Sequence, residues 1–258
     1  MLGKTHPSPP DYDRSPLREV TGNLLRPGDL ALTLHGLDLC AFPAGAALLD
    51  LGCGPGASLA LLKERGFACL GLDRSRALLR EARVHAPCLL ADAASIPLAD
   101  ACLDGIVCEC LLSLAADKHA LLRECRRVLR PGGPMLLSDL VARRKEHPVA
   151  SFPEASAPAP CAGGAVSEEE LHRLLRENGF TVLRHEDHTR LVAELAARIV
   201  WRFGSIAAFA ALWHTGDAAR SARQACGPSG GQEQSASLRS GGAFGYTLII
   251  AENTGDLP

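Results

Sequence analysis

The sequence predicts an α/β fold with a seven-stranded, mostly parallel sheet and helices on both faces. Short apolar strands alternate with helical patterns, beginning with an apolar strand at 48–51 that leads through a glycine-rich turn into a helix at about 57–65. Near the end of the chain, strands at 180–188 and 243–251 are separated by a long excursion. Two closing strands with this spacing predict that the last strand is antiparallel.

The turn after the first strand carries glycine at three alternate positions, Gly52, Gly54 and Gly56, and Asp50 lies two residues before the first of them. Glycine allows positive φ and a close approach of backbone to a ligand. The helix that follows directs free N–H groups at the turn, so we expect a ligand at the carboxyl end of this strand. The alternative is an ordinary tight turn between a strand and a helix.

Composition and charge argue against several classes of protein. The chain has 258 residues, of which 47% are hydrophobic, and its formal net charge of −2 gives no sign of a nucleic-acid surface. It shows no apolar run of membrane-spanning length and no signal-peptide core at its start. We expect a soluble, cytoplasmic protein whose ten cysteines are mostly reduced and pack as small hydrophobic side chains.

Changes in composition divide the chain into four predicted parts. These are a flexible N-terminal arm (1–28), a core (29–190), a helical insertion with a mobile Gly/Ser-rich segment (191–242), and the final strand of the core with a tail (243–258). A helix at 29–40 opens the core and is placed to lie over a ligand. The stretch 191–213 is apolar enough to be an interface with a protein partner or a second copy of the chain.

Acidic residues follow the next two predicted strands. Asp73 ends the second strand, where a carboxylate is placed to accept both hydroxyls of a ribose, as in dinucleotide folds. Its alternative role is to cap the helix that starts near Ser75. Asp92 and Ala93 follow the short third strand at 88–91.

Four ordered motifs over roughly residues 44–141 resemble the class I S-adenosylmethionine-dependent methyltransferases. They are D-x-G-x-G-x-G at 50–56, the acids after the second and third strands, the Leu103-Asp104 start of a fourth strand at 102–110, and R-V-L-R-P-G-G at 127–133. The resemblance implies a Rossmann-like methyltransferase fold with S-adenosylmethionine as cofactor. The G-x-G-x-G spacing also differs from the G-x-G-x-x-G of dinucleotide sites.

The same resemblance implies roles for individual residues. In that family an acid at the position of Asp92 pairs with the adenine amino group, and the next backbone N–H, that of Ala93, bonds the ring; the alternative for Asp92 is a solvated turn. The implied cofactor-binding residues are Asp50, Gly52, Gly54, Gly56, Asp73, Arg74, Asp92, Ala93 and Glu109. Glu109 has a second possible role as a base for a hydroxyl or amine acceptor.

The cysteines bear on the methyl acceptor. Strand alternation predicts that Cys108 and Cys110 share a face, with Cys110 at the carboxyl end of the fourth strand. The stretches 110–118 and 161–165 resemble the arsenite methyltransferase branch of the family. That resemblance implies Cys110 and Cys161 as catalytic residues that hold trivalent arsenic, since thiolates favour soft ions. The alternatives are core positions for Cys108 and Cys110 and an ordinary loop position for Cys161.

This sequence departs from the arsenite branch in two places. The first helix has no cysteine where the family has one, and 191–242 replaces the usual C-terminal extension. The chain has no C-x-x-C pair, so we predict no metal site. His185 and His188 lie on opposite faces of the sixth strand and are expected to be solvated or capping residues.

Together these patterns predict a methyltransferase that uses S-adenosylmethionine and acts on a small molecule. A thiolate-bound metalloid such as arsenite is one candidate acceptor; nucleic-acid and membrane partners are not expected. The alternative is a non-catalytic S-adenosylmethionine-binding module that regulates or binds a partner protein. A dinucleotide-dependent oxidoreductase is disfavoured by the glycine spacing and by the R-V-L-R-P-G-G turn.

Overall fold

A computed structural model describes Tyr12 and residues 15–143, 160–215 and 243–255. Four parts of the chain lie outside the described ranges: residues 1–11 and 13–14 of the predicted arm, the middle of the linker after the fifth strand, the Gly/Ser-rich segment from residue 216 to 242, and the last three residues. The four-part division of the chain stays a prediction.

Seven strands form one sheet in the order β3-β2-β1-β4-β5-β7-β6, which confirms the predicted fold class. The strands are β1 (Ala47–Leu51), β2 (Ala68–Asp73), β3 (Cys88–Leu90), β4 (Gly105–Glu109), β5 (Pro134–Ala142), β6 (Phe180–Asp187) and β7 (Phe244–Asn253). The first five strands of this order, β3-β2-β1-β4-β5, pair in parallel. Strand β7 runs antiparallel to both β5 and β6. The predicted antiparallel last strand is therefore confirmed.

The helices of the described residues connect these strands. They are α1 (Arg18–Thr21), α2 (Leu30–Cys40), α3 (Ala57–Glu64), α4 (Arg76–Ala82), α5 (Lys118–Val128), α6 (Pro160–Gly163), α7 (Glu168–Glu177), α8 (Arg190–Phe203) and α9 (Ile206–Thr215). Two of these helices, α5 and α7, begin directly after a residue whose side chain caps them. Asp117 accepts a hydrogen bond from the Ala120 N–H, and Ser167 accepts one from the Glu170 N–H.

Side-chain alternation along the strands produces a core on each face of the sheet. On one face, Leu49 and Ile106 pack with leucines of α5 and α7. On the other, Leu48 and Val107 pack with α2 and α3. These layers place the carboxyl ends of β1 and β4 side by side, since Leu51 pairs with Cys108.

The fourth strand is shorter than predicted. The expected strand was 102–110, whereas β4 spans Gly105–Glu109. Leu103 makes only an isolated bridge to Leu129, and Cys110 has a left-handed backbone with φ of 52°, which ends the strand.

No single helix in the described ranges is long and apolar enough to cross a membrane. Arg190–Phe203 and Ile206–Leu212 pass that test only when taken together, across a bend of 77°.

Candidate active site

The turn between β1 and α3 has left-handed backbone at all three predicted glycines. The φ angles are 75° at Gly52, 51° at Gly54 and 93° at Gly56. A Cβ at Gly56 would also lie 2.8 Å from the Cα of Ala82. The N–H of Gly52 donates to the Leu72 carbonyl at 2.7 Å, which joins the turn to β2. The turn therefore depends on glycine for its shape, because side chains at these positions would be strained.

Asp50 is a buried carboxylate two residues before this turn. Its side chain is 3% exposed, and its Oδ2 atom finds no hydrogen-bond partner among the described residues. Burial raises the pKa of Asp50 well above its ordinary value, and the neighbouring Glu109 adds to that effect. An unpaired buried carboxylate oxygen beside an open glycine turn fits a cationic ligand group, which would supply the missing partner.

Asp73 ends β2 next to the glycine turn. Its Oδ2 accepts a hydrogen bond from the Gly54 N–H at 2.9 Å, and its Oδ1 accepts one from the Ser75 N–H at 2.8 Å. The residue that caps α4 is Ser75, whose hydroxyl accepts from the Leu78 N–H, so the alternative role of Asp73 as that cap is excluded. Contact between Asp73 and a ribose stays a prediction, supported by its position at the strand end.

The other predicted cofactor contacts lie along the same edge of the sheet. Asp92 is exposed and accepts a hydrogen bond from the Ala94 N–H at 2.8 Å, as in an Asx turn. Ala93 is half-buried against the core, and Arg74 is exposed. Their contacts with an adenine ring or another part of a cofactor stay predictions.

Glu109, the last residue of β4, has protein partners at both carboxylate oxygens. Thr33 donates to Oε1 at 3.0 Å, and Ser58 donates to Oε2 at 2.7 Å. Arg26 forms a salt bridge with Oε2 at 3.2 Å, in which the two side chains are only 3% and 6% exposed. Arg26 also hydrogen-bonds the Thr33 hydroxyl. Glu109 thus joins the N-terminal segment, α2 and α3 at the end of β4, while its predicted cofactor contact stays a prediction.

Cys110 does not share a face with Cys108, and the expectation that it does is wrong. Cys108 is fully buried in the core cluster under α5 and α7, whereas Cys110 packs against the cluster on the opposite face. The physical reason is the left-handed backbone at Cys110, which breaks the strand alternation. The Cys110 thiol instead lies 3.3 Å from the Tyr246 hydroxyl, which in turn lies 3.1 Å from the Ser138 hydroxyl.

Cys161, in α6, comes to the same place. Burial and the nearby Asp139 carboxylate raise the pKa of Cys161 to about 12, and its thiol hydrogen-bonds the Tyr12 hydroxyl. Burial, Asp139 and Cys161 together raise the pKa of Cys110. The structure therefore brings together the two cysteines that the sequence singled out.

Several residues of this site carried little signal in the sequence. The chain has two tyrosines, Tyr12 and Tyr246, and each hydrogen-bonds one of the two cysteines. Asp139 accepts a hydrogen bond from the Ser113 N–H at 2.9 Å. A polar pair at 138–139 inside an apolar strand was a visible sign of this position, whereas Arg26 lies in a stretch predicted to be a flexible arm.

Comparison with known proteins agrees with this geometry. Residues 49–137 match the family model described as a methyltransferase domain. An arsenite methyltransferase of Aquipseudomonas alcaligenes is 33% identical over 164 residues, which cover 57% of this chain and 47% of that protein. An O-methyltransferase of Penicillium expansum is 33% identical over 186 residues, which cover 67% of this chain and 64% of that protein. The chain spans about half the length of the first curated relatives it matches.

Solved structures show the same fold. Phosphoethanolamine N-methyltransferase 2 of Haemonchus contortus, in complex with S-adenosyl-L-methionine, matches with a TM-score of 0.69 at 18% identity, over 92% of this chain and 56% of that one. At this identity the likeness bears on the fold alone. The matched residues hold the glycine turn, Asp73 and Asp92, which are the positions that define the sequence resemblance. The chain therefore contains a methyltransferase domain with the fold of the class I S-adenosylmethionine-dependent enzymes.

Proposed function

We propose that this chain is an S-adenosylmethionine-dependent methyltransferase that acts on a small-molecule acceptor. The observation that carries the proposal is the adjacency of two features at the carboxyl ends of the paired strands β1 and β4. One is the left-handed glycine turn with the unpaired oxygen of Asp50. The other is the polar, thiol-containing cluster around Cys110. A donor at the first feature would face an acceptor at the second.

The chain's own residues account for binding and orientation. We assign Asp73 to the ribose and Asp92 to the adenine, as the resemblance implies, and Asp50 to the positively charged end of the cofactor, because its Oδ2 atom has no partner among the described residues. When bound, S-adenosylmethionine supplies a methyl group activated by a sulfonium. Alignment of an acceptor with that group and exclusion of water provide the rate enhancement in this class of chemistry.

We further propose that the acceptor is a trivalent metalloid held by Cys110 and Cys161. Arsenite, As(OH)₃, reacts with two thiols so that two As–S bonds form, two As–O bonds break and two water molecules leave. Each thiol proton departs with a hydroxide, so the reaction does not require a preformed thiolate. This suits a site in which the pKa of Cys161 is raised to about 12. The arsenic lone pair remains available to accept a methyl group.

The surroundings of the two thiols fit this role. Tyr12 and Tyr246 hold the thiols by hydrogen bonds, and Asp139 is placed to accept a proton or hydrogen-bond a metalloid hydroxyl. Relatives named as arsenite methyltransferases in two organisms support the proposal. O-methyltransferases match at similar identity, so the support for a metalloid comes from the paired cysteines.

Isothermal titration with S-adenosylmethionine tests the first proposal, because it measures the affinity of the chain for the cofactor. We expect saturable binding by the full chain and about 10- to 100-fold weaker binding by Asp73→Ala, because hydrogen bonds to a carboxylate are lost. Asp187→Ala is the matched control, since Asp187 also accepts a hydrogen bond from an N–H two residues ahead, that of Thr189 at 2.7 Å. Absence of binding at millimolar cofactor would refute the proposal, and unchanged affinity in Asp73→Ala would refute the ribose assignment.

Product analysis tests the transfer and the acceptor. The full chain is incubated with isotope-labelled S-adenosylmethionine and arsenite, and with thiol, hydroxyl and amine acceptors, and methylated products are measured by mass spectrometry. The double variant Cys110→Ser, Cys161→Ser should lose arsenite methylation while it keeps cofactor affinity. Cys88→Ser is the control, because Cys88 hydrogen-bonds Cys53 in another thiol pair. Cofactor binding without any product would instead favour the non-catalytic binding module.

A further inference from the structure

Two histidines and a glutamate meet where α2 packs against the end of β6. The Nε2 atom of His35 lies 2.8 Å from Oε2 of Glu186, and the Nε2 atom of His188 lies 3.1 Å from the same oxygen. The three ligand atoms all lie within 4.8 Å of one another. Around a tetrahedral ion with bonds of about 2.0–2.1 Å, ligand atoms are about 3.3 Å apart. The two distances from the Glu186 oxygen are close to that value.

The backbone holds all three residues in place. Glu186 pairs with Leu248 of β7, and its carbonyl accepts a hydrogen bond from the Thr247 hydroxyl at 3.2 Å. The His188 N–H donates to the Tyr246 carbonyl at 2.7 Å. His35 lies in the middle of α2. Residues 186 and 188 project to one side because strand side chains alternate, and they meet α2 there. Ligands on fixed elements suit a preorganised site.

Charges around Glu186 leave one oxygen available. Arg184 donates through Nε to Oε1 at 2.9 Å, whereas Oε2 faces the two imidazoles. The Oε2 atom and the two Nε2 atoms therefore converge on one point. The His35 side chain is 45% exposed, so one side of the cluster opens to solvent.

We propose that His35, Glu186 and His188 bind one divalent transition-metal ion of the zinc class. Two imidazole nitrogens and one carboxylate oxygen form a donor set of borderline softness, which suits Zn²⁺ or Co²⁺ better than Ca²⁺ or Mg²⁺. The ion binds the Nε2 lone pairs, so each neutral imidazole carries its proton on Nδ1. Solvent completes the coordination on the open side. The proposal departs from the expectation, drawn from the missing C-x-x-C pair, that the chain holds no metal.

The ion would join parts of the chain that are far apart in sequence. His35 belongs to the same helix as Thr33, which donates to Glu109 in the candidate active site. Glu186 and His188 belong to the end of β6 and the segment before α8. A bound ion would tie α2 to the sheet and so stabilise the fold. Metal binding and thermal stability therefore measure this site directly, and neither measurement depends on methyl transfer.

Titration with Co²⁺ tests the proposal, because its visible absorption distinguishes thiolate ligands from nitrogen and oxygen ligands. We expect one equivalent to bind without a thiolate-to-cobalt charge-transfer band and Zn²⁺ to displace it. The variants His35→Gln and His188→Gln keep a hydrogen-bond donor for Glu186 but lose the imidazole, and we expect at least about tenfold weaker binding in each. His172→Gln is the matched control, since His172 hydrogen-bonds His185 outside the cluster.

The outcomes separate the site from a plain hydrogen-bonded cluster. Loss of Co²⁺ binding in both cluster variants, with normal binding in the control, supports the site. The same pattern is expected for the rise in melting temperature on addition of Zn²⁺. Binding that survives both variants, or that shows a thiolate band, means that the cysteines hold the ion and overturns the proposal. Absence of stoichiometric binding also overturns it.

Discussion

Asp50 and Glu109 are buried carboxylates near the carboxyl ends of two paired strands, and their surroundings differ. Glu109 receives hydrogen bonds from Thr33 and Ser58 and a salt bridge from Arg26. Asp50 has an oxygen with no partner among the described residues, and burial raises its pKa. A fully paired carboxylate positions neighbouring segments, whereas an unpaired one is costly until a ligand satisfies it.

Asp50→Asn should change how stability depends on pH. A carboxyl whose folded pKa is raised contributes stability that is fully present below its unfolded pKa of about 3.9 and is lost as pH rises through the folded pKa. The wild-type chain should therefore lose stability relative to Asp50→Asn as pH rises above about 4. The difference is ~1.4 kcal/mol for each unit by which the pKa is raised. Urea unfolding of both proteins across this range measures it.

The comparison between the two proteins isolates Asp50. Asp73 and Asp139 also have raised pKa values, but both carboxyls are present in both proteins. Parallel stability curves across the pH range would show that Asp50 is not held in an unfavourable ionised state. The same variant should bind S-adenosylmethionine more weakly, since it lacks the anionic oxygen.

At the scale of elements, the position of Cys161 depends on how α6 packs against the 3₁₀ turn Leu112–Leu114. Gly164 follows α6, and a Cβ there would lie 1.9 Å from the Ser113 carbonyl oxygen. A Cβ added to the neighbouring Gly163 would have no atom within 4 Å. The close approach of backbone to backbone at Gly164 brings Cys161 to the end of β4.

Gly164→Ala should move α6 away from the 3₁₀ turn and separate Cys161 from Cys110. Such overpacking costs about 1–3 kcal/mol, so arsenite binding that needs both thiols should weaken by about 10- to 100-fold. Gly163→Ala should leave arsenite affinity nearly unchanged, and S-adenosylmethionine affinity should persist in both variants. Equal arsenite affinity in the two variants, measured by titration, would contradict this account of the site.

At the scale of the whole molecule, residues outside the matched domain complete the candidate site. The methyltransferase model covers 49–137, but Tyr12, Arg26, Cys161 and Tyr246 all lie beyond it. The buried pair between Arg26 and Glu109 connects the N-terminal segment to the centre of the sheet. The candidate site thus combines residues of the matched domain with residues from both ends of the chain.

Arg26→Met should destabilise the whole fold strongly. It leaves the Glu109 carboxylate buried without its cation, and breaking a buried pair in this way costs about 3–5 kcal/mol. Arg65→Met removes an exposed pair with Asp38, whose side chains are 40% and 58% exposed, and should cost less than about 1 kcal/mol. Urea unfolding gives the free energy of unfolding for each variant. A similar loss in both would mean that the buried pair does not hold the N-terminal segment to the sheet.

Local patterns in the sequence were sufficient for the fold class and for the glycine turn. Alternating apolar strands and helices predicted the sheet and its antiparallel last strand. Asp117 and Ser167, residue types that favour helix starts, cap the helices that follow them. The glycine turn could be recognised because left-handed backbone restricts the residue type within a few positions. Such features follow from contacts between near neighbours in the chain, and periodicity and spacing record those contacts.

The contacts of the two candidate cysteines and of the proposed metal ligands were decided by tertiary structure. A left-handed backbone at Cys110 turned its side chain to the opposite face, where Tyr246 lies 136 residues further along the chain. Likewise, His35 meets Glu186 across 151 residues. The sequence by itself determined which segments form strands, helices and the glycine turn. Packing of distant segments determined which thiols, hydroxyls and imidazoles meet, because no local pattern encodes a contact between residues so far apart.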